Sequence, residues 1–139
     1  MGVAKSKFIA LSEAQEFLKE AKALQMNSQT FERISRYSRA SILLSWVALE
    51  AVVAYELKKT GYKHKRGDNL AKVLEILATQ RQLPFDKKAY GEQRRIRNAV
   101  THPTNTFVWT CPDSETAGRV FHYCISLINQ LYSIPDPWY

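Results

Sequence analysis

The sequence predicts an all-α fold, an antiparallel up-and-down bundle of four to five helices. Three observations carry that expectation. Helical periodicity dominates, and no stretch alternates polar and apolar residues for long enough to argue a sheet. Five segments carry their own start or stop signals. The links between them are short, which sets consecutive helices side by side in opposite directions. With 139 residues and no repeat or internal boundary, residues 1–139 are expected to form a single domain whose core needs neither a disulfide nor a metal.

The first helix is expected from Ser12 to about Leu24, with Ser12 as N-cap, Gln15 three residues on, and an apolar stripe of Ala14, Phe17, Leu18, Ala21 and Leu24. The second starts at Ser28 or Thr30 and continues to Thr60, where Gly61 offers a stop. Its middle is apolar on several faces, so it belongs at the centre of the bundle. A third helix follows Asp68 or Asn69, places Leu70, Val73, Leu74 and Leu77 on one face, and ends before Leu83 and Pro84. A fourth starts at Asp86 and turns Tyr90, Ile96 and Val100 inward until Pro103 stops it. Asp113 or Ser114 caps a fifth, which carries Val120, Phe121, Cys124, Ile125, Leu127, Ile128 and Leu131. The apolar stretch 104–110, with Phe107, Val108 and Trp109, is expected to be a short strand or a lid packed on the bundle or on a partner.

Composition narrows the function classes. Hydrophobic residues make up 45% and charged residues 24%, which excludes a disordered or fibrous chain, and five Gly and five Pro exclude low complexity. Twenty Lys and Arg against thirteen Asp and Glu give a net charge of +7, an excess that favours a polyanion, nucleic acid ahead of membrane. Cys111 and Cys124 form no CxxC or CxxH pair, so no metal site and no cofactor are implied, and a reducing, cytoplasmic compartment is expected. The apolar run over residues 42–57 is broken by Ser45, Glu50 and Glu56 and falls short of the ~20 residues of a bilayer span, so it is expected to be a buried helix. No secretory signal pattern stands at the N-terminus, and MGVAKS meets only the loose myristoylation pattern at Gly2 and Ser6.

The most informative stretch is Arg94, Arg95, Ile96, Arg97, Asn98, Ala99, Val100, Thr101, His102, Pro103. Arg94, Asn98 and His102 are spaced by four and stack along one helical face. Arg97 would lie about 140° around an ideal helix from His102. Pro103 changes this, because the residue before a proline is pushed out of the helical region and His102 is then free to swing toward Arg97. Chemically the pair suits phosphodiester cleavage. Arginine stays charged and forks onto two phosphate oxygens, while histidine gives or takes a proton near neutrality. RNA brings its own nucleophile, the 2'-hydroxyl, so neither metal nor nucleophilic side chain is required. One imidazole does not conveniently perform both proton transfers, which makes a symmetric dimer with two facing helix ends part of the expectation.

Standing as RNAVTH before Pro103, Arg97, Asn98 and His102 resemble the signature of the HEPN family, small helical bundles whose late helix ends in an Arg, often followed by Asn, and then a His. SWVALEAVVAYELKK is similar to the family's central helix, where an acidic residue is common. The resemblance covers most of the chain as helix order but only these few residues as sequence. It implies a metal-independent endoribonuclease acting as a homodimer, often a toxin or an antiviral defence effector. Some members have lost catalysis, so the alternative it implies is a catalytically inactive nucleotide- or protein-binding module, for example one that partners an antitoxin or a nucleotidyltransferase. In one branch the partner modifies a tyrosine two residues after the His, and that position here is Thr104.

Further residues complete the expected site. Glu50 interrupts an apolar helix, and a buried carboxylate requires a cation: either Arg97 is that partner, or Glu50 reaches solvent or another arginine. Lys58, Lys59, Lys63, Lys65 and Arg66 cluster around Gly61 and Tyr62, and Arg33, Arg36 and Arg39 recur every three residues. Lys63, Lys65 and Arg66, with Arg94 and Arg95, are the candidate RNA contacts. His64 is expected to be exposed, and His122 and Cys124, two apart on a helix, do not share a metal-binding face. Trp46, Trp109 and Trp138 are expected in the core or an interface, with the tail PDPWY docked on the bundle or on a second subunit.

Overall fold

In the computed structural model, residues 2–63, 65–101 and 111–132 are described, with side chains from residue 9 onward. Among them are five helices and no strand: α1 (Gly2–Ala23), α2 (Phe31–Thr60), α3 (Leu70–Gln80), α4 (Lys87–Thr101) and α5 (Ser114–Tyr132). The fold is thus all-α. Expectations for His64, His102, Pro103, the stretch 104–110, Trp138 and the tail fall outside the described residues.

Each of the other helices packs on α2, the longest at 30 residues. Its inner faces carry Ile42, Trp46, Leu49, Val52 and Val53 into one core with Leu11, Leu18, Leu74, Leu77, Phe121, Ile125 and Ile128. Ser38, Ser41 and Ser45 are buried among them, and Ser41 Oγ donates to the Ala14 carbonyl of α1 at 2.8 Å. Small side chains there let the α1 backbone approach, and the cross-helix hydrogen bond offsets the cost of burying a hydroxyl. α2 is long and apolar enough to cross a bilayer by length and composition only, a property that the run over 42–57 alone understated, and 56% of its most apolar window is buried inside the bundle, as in a core helix.

The helix starts show which local signals operate. Ser12 is not an N-cap: α1 begins ten residues earlier, and Ser12 lies exposed in its middle. The buried stripe of α1 already includes Ala10 and Leu11, ahead of Ser12, and continues through Ala14, Leu18 and Ala21, so tertiary packing extends the helix past the local cap signal. Before α2, Asn27 Oδ1 accepts the amides of Gln29 at 2.8 Å and Thr30 at 3.0 Å; Thr30 holds the N-cap position without a side-chain cap bond, and Ser28 precedes it. Gly61 closes α2 at φ 74°, a left-handed conformation that costs a glycine little. Asn69, Asp86 and Asp113 each accept amides of their own first turns and cap α3, α4 and α5.

Between α2, α3 and α5 lies the buried carboxylate of the fold. Glu56 is 3% exposed, pairs with Arg81 at 2.8 Å and with Lys59 at 3.0 Å, and Arg81 also donates to the Leu131 carbonyl. A charge buried this deeply persists only with such partners.

Candidate functional site

Tyr90, Arg94 and Arg97 recur at intervals of four and three along α4, which puts them on one face, turned toward α2. With Trp46 and Glu50 of α2 and Leu70 of α3 they line a cleft of about 210 Å³. Arg97 is the best-held group in it. One nitrogen of its guanidinium donates to Glu50 Oε1 at 3.2 Å, and another donates to Asn98 Oδ1 at 3.2 Å. The planar fork is therefore fixed from two sides. Thr101 Oγ1 also donates to the Arg97 carbonyl, four residues back, at 2.7 Å.

The expected pairing of Glu50 with Arg97 is present, but its reason differs from the one inferred. Glu50 is not buried: its side chain is 45% exposed and that of Arg97 34%. Six positions of helical rotation separate Glu50 from Glu56, about 240° around α2, so only the latter faces the interior. Arg94 is exposed and makes no ion pair among the described residues. Two guanidinium groups against one carboxylate leave the cleft electropositive. Tyr90 forms its inner wall, edge-on to Trp46 with ring centroids 5.8 Å apart. Burial pushes the Tyr90 phenol above its usual range, and the neighbouring Arg94 and Arg97 only partly oppose that shift, so it stands in the cleft as a neutral hydroxyl. The buried indole Nε1–H of Trp46, on the same wall, has no hydrogen-bond partner among the described residues.

Arg95 is exposed and is not part of the cleft lining. Lys63, Lys65 and Arg66 are exposed on the loop joining α2 to α3. That loop is held by Asp68, whose Oδ2 accepts the Tyr62 hydroxyl and the Lys65 amide, each at 2.8 Å. Arg33, Arg36 and Arg39 lie exposed on the first half of α2, toward the opposite end from Glu50. α4 extends to Thr101, immediately before His102. No cluster of three His, Cys, Asp or Glu placed to hold a metal occurs among the described residues. Cys124 is buried and its thiol is driven upward by desolvation, so it is inert as a nucleophile.

A second cavity went unanticipated. It lies between α2 and α3, encloses about 390 Å³ and shares Glu50 and Leu70 with the cleft. Its apolar walls are Val53, Leu57 and Val73, residues whose periodicity marks them as core and gives no sign that they border a hollow. No sequence family, curated protein or solved structure matches this chain, so its function rests on the site itself.

Proposed function

We propose that the chain is a metal-independent endoribonuclease of the HEPN type, acting as a homodimer, with toxin or antiviral defence roles as the biological settings that fit such an activity. The observation that carries the reading is the guanidinium of Arg97, oriented by Glu50 and Asn98 in an electropositive cleft five residues before His102. In this reading the 2'-oxygen of RNA attacks the adjacent phosphorus and the bond to the 5'-oxygen breaks. The products are a 2',3'-cyclic phosphate and a 5'-hydroxyl. Arg97, with Arg94, binds the phosphate oxygens where negative charge grows in the transition state. Asn98 and Glu50 hold Arg97 in place. His102 takes the proton from the 2'-hydroxyl, and His102 of the second subunit gives one to the leaving oxygen. Lys63, Lys65 and Arg66 guide the strand, with Arg95 as an outlying phosphate contact.

The second cavity favours one alternative, a catalytically inactive module that binds a nucleotide in the same cleft and partners an antitoxin or a nucleotidyltransferase. Incubation of purified protein with RNA separates the two. Wild-type protein is expected to cut RNA with chelator present, and His102→Ala to lower the rate by about 10²- to 10⁴-fold with the helical signal unchanged. DNA and 2'-O-methylated RNA remain uncut. Cleavage that needs an added divalent metal, or RNA left intact by the wild type, overturns the ribonuclease reading.

A further inference from the structure

We infer that the cavity between α2 and α3 is a nucleobase seat, occupied by the base of a nucleotide whose phosphate lies on Arg94 and Arg97. The inference rests on the phosphate-binding reading of the adjoining cleft and adds what that reading lacks, a source of base selectivity.

Four features point to this occupant. The volume, about 390 Å³, falls in the range of pockets that enclose small molecules, ~300–1,000 Å³. Val53, Leu57, Leu70 and Val73 give apolar walls, and Tyr62 supplies an aromatic ring, which together suit a flat heterocycle. Polar groups stand at the lining as well. Asn69 Oδ1 is tied to the Lys72 amide at 2.9 Å, which leaves the amide nitrogen of Asn69 as a donor for a base edge. The Asp68 carboxylate is already engaged by Tyr62, by the Lys65 amide and by Lys72 at 3.6 Å, so it presents little uncompensated charge to an anion.

Continuity and charge select a nucleotide over a purely apolar guest. Glu50 and Leu70 line both cavities, so the two adjoin, and a ligand that reaches past these side chains would contact both. Lys58 lines the pocket, and exposed Lys63, Lys65 and Arg66 stand on the loop beside it. A lipid tail or an apolar peptide would leave these cations and the two guanidinium groups of the cleft unused. A nucleotide puts its apolar, planar part in the pocket and its anionic part on the arginines.

The test compares nucleoside 5'-monophosphates with ribose 5-phosphate, which carries the same sugar and phosphate without a base. Calorimetry on the intact chain is expected to show at least one nucleotide binding tenfold or more tighter than ribose 5-phosphate. The methyl resonances of Val53, Leu57 and Val73 should move with that nucleotide and stay in place with ribose 5-phosphate. Ala54 lines the pocket from an exposed position on α2, so Ala54→Trp fills the cavity at little risk to the fold, which circular dichroism checks. This variant should lose the gain contributed by the base. Equal affinity for nucleotides and ribose 5-phosphate overturns the inference, as does a gain that survives in folded Ala54→Trp protein. The ribonuclease reading fails separately: protein that binds the base but cuts no RNA upholds the seat and sinks the enzyme, while protein that cuts RNA with no base contribution to binding does the reverse.

Discussion

Glu50 Oε1 and the Arg97 guanidinium meet at 3.2 Å across α2 and α4 while both side chains remain open to solvent. Exposed pairs of this kind contribute only about 0–1 kcal/mol to stability, so the contact matters more for the direction in which it holds the arginine than for the fold. Glu50→Ala should leave the urea midpoint nearly unchanged. If Arg97 binds the transition state, the same change lowers kcat on RNA by about tenfold, and Glu50→Gln, which can still accept a hydrogen bond, restores part of it. A large loss of stability in Glu50→Ala, or unaltered kcat in an active enzyme, would contradict this division of roles.

Glu56 presents the opposite case. Arg81→Ala strips a buried carboxylate of its closest cation, and the expected cost is about 3 kcal/mol, at the low end for buried pairs because Lys59 remains at 3.0 Å. Replacing both members, Glu56→Leu with Arg81→Met, should recover most of that loss. Chemical denaturation of the three proteins decides it, and a double variant no better than the single would show that the pair itself stabilises the fold.

The contrast between these two carboxylates marks where the sequence is legible. Asn69, Asp86, Asp113 and Gly61 are visible as helix ends because a cap is a signal read over three or four residues. Arg97 with Asn98 is visible for the same reason, both lying on one turn. Glu50 and Glu56 interrupt the same apolar run and look alike in sequence; only the packing of α3 and α5 places the second inside. Lys59, three residues on, is a local partner of Glu56, but its closest cation lies 25 residues away at Arg81, which reaches a further 50 to Leu131, separations no local pattern reports. Ser12 misleads in the other direction, a sound cap signal overridden by Ala10 and Leu11 packing in the core.

Gln82 occupies the left-handed position after α3, at φ 55°, where the Leu83 amide reaches the Ala78 carbonyl at 2.8 Å. A side chain there is strained, and glycine is not. Gln82→Gly is expected to raise the free energy of unfolding by about 0.5–1 kcal/mol, a rare gain from introducing a glycine. A lower denaturation midpoint would mean that the side chain of Gln82 contributes more than its backbone costs.

Asp113 gives the fold a pH-dependent element. Its carboxylate accepts the Thr116 amide at 2.8 Å, and that bond, ahead of the attraction of Arg119, holds its pKa below the ordinary 3.8. Because the folded value is the lower one, the stabilisation is complete above the ordinary value and is lost as pH falls through the depressed one. Asp113→Ala should cost about 1 kcal/mol at neutral pH and progressively less under acid conditions. Urea titrations at several pH values would show the two proteins converging; a constant gap would remove the charge from the explanation.

If the chain binds RNA as proposed, charge reversal at Lys63 and Lys65 should weaken that binding and flatten its salt dependence, with a slope reduced by roughly one for each phosphate no longer neutralised. An unchanged slope would place the strand elsewhere on the surface.

α4 makes its main packing contact with α2 alone, whereas α1, α2 and α5 all pack against one another. Elements attached through a single neighbour can detach in local openings that leave the remaining core intact, and their amides exchange with solvent sooner. Arg94 and Arg97 both ride on this helix, and Glu50 sits on α2, against which every other helix packs. The two halves of the cleft thus belong to layers of different kinetic durability, so a ligand spanning both should slow hydrogen exchange in α4 far more than in α2.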